Sequence, residues 1–123
     1  MSFKFLTLAS AVFFPLAAAP SIARAHAYPI IALPADGAAL RDSPREVRIQ
    51  FTEGVEMEFS RIVVRNAAGE RVGQGNLRRL AADTVAVELK PLPPGAYTVE
   101  WQVLSVDTHV TDGVLRFTVG GKK

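Results

Sequence analysis

The chain has 123 residues, 21% of them charged and none of them cysteine, with a formal charge of +2 at pH 7. A chain of that size buries one core. The absence of cysteine excludes disulfides and thiolate chemistry, and no basic stripe offers a surface to nucleic acid.

Residues 1–25 read as a targeting segment. Lys4 supplies one early positive charge, and Phe5 to Pro20 carries none. Pro20 breaks the apolar run, and Ala23-Arg24-Ala25 puts small residues at the two positions a signal peptidase inspects. The apolar run is about 16 residues, short of the roughly 20 that a spanning helix requires. The expectation is a cleaved secretory signal followed by one domain, residues 26–123. A second A-x-A triplet, Ala25-His26-Ala27, offers a competing cut that would begin the protein at Tyr28. Lys4 and Arg24 account for two of the 14 basic residues, so the remainder has twelve against 12 acidic ones and no net charge. The pI of about 9.3 therefore belongs partly to the signal.

The elements follow in chain order. Tyr28 to Leu33 reads as a first strand, closed by the turn Pro34-Ala35-Asp36-Gly37 and, further on, by Asp42-Ser43-Pro44. Val47, Ile49 and Phe51 alternate with Arg48, Gln50 and Thr52 as a half-buried strand, and Glu53 follows in phase. Phe59 to Arg65 is the next strand, ending at the turn Asn66-Ala67-Ala68-Gly69 and leading into Glu70-Arg71-Val72. Thr84 to Leu89 puts Val85, Val87 and Leu89 on one face. After Pro91-Leu92-Pro93-Pro94-Gly95, residues Tyr97, Val99, Trp101 and Val103 line one side of a longer strand. Asp112-Gly113 precedes a last strand, Val114 to Val119. No stretch carries a 3.6-residue apolar period. About seven short strands separated by turns predict an all-β fold, a Greek-key β-sandwich or barrel of immunoglobulin-like or cupredoxin-like kind. Trp101 is the large residue expected between its two sheets.

Only two histidines are present, His26 and His109. Asp107 and His109 are two apart, so in an extended segment an oxygen and an imidazole face one point. Cleavage after Ala25 would give His26 a free α-amine, which together with its Nδ1 closes a six-membered chelate ring on a metal. Three nitrogens and one carboxylate oxygen make a tetragonal set that favours Cu(II) over the softer Cu(I). The amine, with an unperturbed pKa of about 7.7–8.0, must lose its proton to bind, so affinity is expected to rise with pH. Asp107-Thr108-His109 reads equally as a solvated surface loop, and Glu53 either as a carboxylate near the site or as an exposed strand-end acid.

The chain resembles the periplasmic copper-binding proteins of the CopC family. The resemblance is carried by His26, Pro34-Ala35-Asp36-Gly37, Ile49-Gln50-Phe51-Thr52-Glu53 and the strand Pro93-Pro94-Gly95-Ala96-Tyr97-Thr98-Val99-Glu100-Trp101. Ser105-Val106-Asp107-Thr108-His109, Gly113 and Phe117 complete it. It implies a seven-stranded β-barrel or sandwich, a periplasmic location and a role in copper handling. It implies Cu(II) ligation by His26, Asp107 and His109, with Glu53 near or weakly bound, and a CopD-like inner-membrane partner. Family members with a second, Cu(I) site carry several methionines in a loop after the third strand. Ala67 to Leu80 has none here, and Met57 is the sole methionine after the signal. The chain thus resembles the Cu(II)-only branch, and Met57 reads as a core or rim residue.

The expected function is that of a monomeric, non-enzymatic protein holding one Cu(II) per chain, for sequestration, tolerance or delivery to a transporter. Two alternatives stand beside it. An N-terminal histidine paired with a second histidine is also the copper brace of oxidative polysaccharide-cleaving monooxygenases. Against that reading, the small domain has little room for a flat aromatic substrate face, and Asp107 would take a position oxygen needs. The other alternative is a metal-free immunoglobulin-like accessory module.

Overall fold

Alternating apolar residues build two facing sheets, because each strand has one side that must leave water. The computed structural model describes residues 10–12 and 26–120; apart from 10–12, the expected signal lies outside the described residues. Eight strands run through the described part: β1 (Pro29–Leu33), β2 (Ala38–Leu40), β3 (Glu46–Phe51), β4 (Val55–Arg65), β5 (Gly73–Ala81), β6 (Thr84–Leu89), β7 (Gly95–Ser105) and β8 (Val110–Val119). They form two four-stranded sheets in the orders β1-β3-β6-β5 and β2-β8-β7-β4. All neighbours are antiparallel except β2 and β8, which pair in parallel with Ala38 opposite Phe117. Among the described residues, no helix is long and apolar enough to cross a membrane.

The predicted inward faces are the buried ones. Val47, Ile49 and Phe51 of β3 are fully enclosed, and Val85, Val87 and Leu89 of β6 lie beside them. Tyr97, Val99, Trp101 and Val103 of β7 close the core from the other sheet, with Phe117 and Val119 of β8. Trp101 sits between the sheets as expected, its ring edge-on to Phe51 of the opposite sheet with centroids 5.4 Å apart. Gly113 is its cross-strand partner, and a Cβ there would lie 2.6 Å from the indole. The tryptophan therefore requires glycine at that place. Tyr97 stacks on Phe117 at 5.4 Å and donates its hydroxyl to the Pro93 carbonyl at 2.5 Å.

Two strands differ from the sequence expectation of seven. The three-residue β2 is too short to show alternation and exists by pairing with β8. Gly73–Ala81, taken above as part of a loop after Glu70-Arg71-Val72, is the nine-residue β5, preceded by an isolated bridge between Arg65 and Arg71. Its residues are exposed on nearly all positions, and only Leu77 packs on the core from mid-strand. As an edge strand it need not alternate, so its sequence carries no strand signal. Strand β4 also starts earlier than Phe59, with an irregular register between Glu56 and Arg61 that leaves Phe59 exposed. Met57 is half-buried and packs against the core.

Candidate metal centre

Four chain segments meet at one end of the sandwich. The β3–β4 turn is tied to the β7–β8 turn by Val106 N–H donating to the Gly54 carbonyl at 3.0 Å. The same end receives the β5–β6 turn, whose Ala82 and Asp83 carbonyls accept from Val55 and Phe51 at 3.0 and 2.8 Å. The segment before β1 joins through Thr52 N–H, which donates to the Tyr28 carbonyl at 2.8 Å.

Asp107 and His109 occupy a tight turn rather than an extended run. Thr108 N–H donates to the Ser105 carbonyl at 2.8 Å, and Ser105 N–H donates to the His109 carbonyl at 2.9 Å. The Ser105 hydroxyl, itself fully buried, accepts from the amides of Asp107 and His109 at 3.2 and 3.3 Å. Thr108 reverses the chain with φ of 67°, a left-handed conformation that costs a β-branched residue energy. Such strain persists where surrounding bonds over-determine it, and these four bonds do so. The period-two argument for Asp107 and His109 is therefore replaced by a turn that leaves both side chains exposed at the same rim.

The turn sets the His109 ring against that of His26, with centroids 4.8 Å apart and planes at 74°. Tyr28 lies edge-on to His26 at 6.1 Å. Nδ1 of His26 is buried and has no hydrogen-bond partner among the described residues. Glu53 lies in the bend just past β3 and is half-buried. Loss of solvation raises its carboxyl above the ordinary value of 4.5, helped by the hydrogen bond its protonated form donates to Asp107 and by the negative charge of Asp107; the two imidazoles pull the other way. All four residues singled out in the sequence thus stand within mutual electrostatic reach. As they stand, no three His, Asp or Glu side chains among the described residues are arrayed to hold an ion. The main-chain nitrogen of His26 is in peptide linkage to Ala25 in this chain and so is not an amine donor.

Sequence reasoning missed the hydroxyls that hold this end. Thr52 Oγ1 accepts from Tyr28 N–H at 3.0 Å and donates to the His26 carbonyl at 3.2 Å. Thr111 Oγ1 donates to the Ala27 carbonyl at 2.7 Å. Hydroxyl staples between distant segments leave no periodic trace in a sequence.

Fold and site together define a small two-sheet β-domain that gathers both of its histidines and two carboxylates at one rim. The CopC domain family model matches residues 31–120, and the chain belongs to that family. It is 35% identical over 104 residues to the copper transport protein CutJ of Bacillus subtilis, covering 82% of this chain but only 19% of that longer protein. It is 34% identical over 98 residues to the protein YobA of Escherichia coli K12, covering 77% and 79% of the two chains. The crystal structure of CopC from Methylosinus trichosporium OB3b superposes with a TM-score of 0.73 at 28% identity, over 80% of this chain and 97% of that one.

Proposed function

We propose that the protein is an exported, non-enzymatic Cu(II)-binding protein of the bacterial periplasm. It binds one Cu(II) per chain through His26, Asp107 and His109, with Glu53 beside the ion. The observation that carries this reading is the buried Nδ1 of His26, without a hydrogen-bond partner among the described residues, on a ring whose centroid lies 4.8 Å from that of His109. A buried nitrogen without a partner costs about 1–3 kcal/mol, and a metal ion removes that cost. Nδ1 is also the ring atom able to close a chelate with the α-amine once residues 1–25 are removed. Two imidazoles, an amine and a carboxylate are nitrogen-rich donors of the kind Cu(II) prefers. The described residues bring no cluster of soft sulfur ligands to the rim, since Met57 packs on the core.

The role is to buffer copper or deliver it to a CopD-like inner-membrane transporter, and the protein acts as a monomer. Membership of the CopC family and the name of the Bacillus relative support a part in copper handling. The test is an intact mass and a Cu(II) titration on protein exported and processed by the cell. The expected mass is that of a chain starting at His26, with one Cu(II) bound in a tetragonal site of several nitrogens. A chain starting at Tyr28, or tight one-to-one Cu(I) binding that survives Met57→Leu, refutes the reading.

A further inference from the structure

The short segment carrying His26 lies outside the sheets, because the β1 ladder begins only at Pro29. Three successive residues of it are nonetheless held. Thr111 of β8 donates to the Ala27 carbonyl at 2.7 Å, and Thr52, just past β3, donates to the His26 carbonyl at 3.2 Å while accepting from Tyr28 N–H at 3.0 Å. A hydroxyl has one proton and two lone pairs, so Thr52 uses both kinds of bond on this one segment. The staples come from opposite sheets, and Ala27 between them is fully enclosed. Each hydroxyl also belongs to a strand end that presents another rim residue: Thr52 precedes Glu53, and Thr111 follows His109 by two.

All three bonds go to main-chain atoms of residues 26–28, while the imidazole Nδ1 of His26 has no hydrogen-bond partner among the described residues. The arrangement immobilises the backbone that carries the ring and leaves the ring's donor atom available. We infer that Thr111 and Thr52 are positioning residues for the copper site, holding residues 26–28 so that the His26 donors meet the imidazole of His109. The inference rests on the Cu(II) reading above. It assigns to two uncharged hydroxyls, neither of them a ligand, the preorganisation on which a chelate from a chain terminus depends.

The experiment uses protein exported and processed by the cell, comparing wild type with Thr111→Val, Thr111→Ser, Thr52→Val and Thr52→Ser. Three readouts are taken: Cu(II) affinity by competition with a calibrated chelator, the Cu(II) electron paramagnetic resonance spectrum, and Tm of the metal-free protein. The valine variants keep shape and β-propensity but lose the hydroxyl. Each should bind Cu(II) about 10- to 100-fold more weakly with an altered hyperfine pattern, and each serine variant should restore both. Valine variants with wild-type affinity and spectrum overturn the assignment, even if their Tm falls, because the hydroxyls then only fasten the fold. Serine variants that lose as much as valine also overturn it. A wild-type protein that takes up no Cu(II) fails differently: it refutes the copper reading itself, and the positioning role with it.

Discussion

His26 contributes more to the proposed site than any other residue, because it supplies two donor atoms where His109 and Asp107 supply one each. His26→Ala is expected to weaken Cu(II) binding most, although a terminal amine remains. One residue added ahead of His26 should act almost as severely, since the amine becomes an amide while the ring stays. His109→Ala follows, then Asp107→Ala, because water replaces a single oxygen ligand readily, and Glu53→Gln last. Competition titrations against a calibrated Cu(II) chelator give the order, and native affinity in the extended protein would remove the chelate from the account. Glu53 also makes the metal-free protein sensitive to pH. Its raised pKa means the fold holds its proton more tightly than the unfolded chain does. That contribution is fully present below pH 4.5 and is lost as pH rises through the raised folded value. Glu53→Gln keeps an uncharged hydrogen-bonding group, so its Tm in chelator should fall less than the wild-type Tm over that rise. Parallel curves for the two proteins would deny Glu53 this role.

Strands β7 and β8 fit together through one large and one absent side chain. Trp101 lies over Gly113, and any Cβ at 113 meets the indole at 2.6 Å. Gly113→Ala must therefore displace the ring or the strand, an overpacking that costs about 1–3 kcal/mol. Urea unfolding should show the lowered midpoint, and the Trp101 fluorescence should shift with it. An unchanged midpoint would mean that β8 yields without cost. Legibility at this scale followed burial. Strands β3, β6 and β7 have one face sealed in the core, so their alternation was readable residue by residue. Strand β5 faces water on nearly all sides, and β2 is too short for a period, so neither left one. The turn carrying Asp107 and His109 depends on the Ser105 hydroxyl and a left-handed Thr108, and the spacing of its residues does not encode that geometry.

At the scale of the whole molecule, the proposed site predicts that metal and fold are coupled. An ion that binds only the folded chain stabilises it by about 2.7 kcal/mol at a free concentration one hundred times Kd. In a domain of this size that raises Tm by on the order of 10 °C or more. Processed protein should show this rise with Cu(II), lose it in chelator, and show little of it when the N-terminus is extended. Scanning calorimetry on the three samples checks the prediction, and equal rises for processed and extended protein would place the copper elsewhere.

The sequence by itself determined the all-β class and the inward faces of β3, β6 and β7, and it singled out the two histidines as the candidate nitrogen ligands. Apolar alternation is a local property, and two histidines in a cysteine-free chain leave little choice of nitrogen ligand. Only the tertiary structure decided that His26, 83 positions from His109, lies with its ring 4.8 Å from it. It also decided that Glu53 stands against Asp107, and that Thr52 and Thr111 hold the segment between the sheets. These are contacts between remote segments made by the closure of the two sheets, and no period within either segment records them.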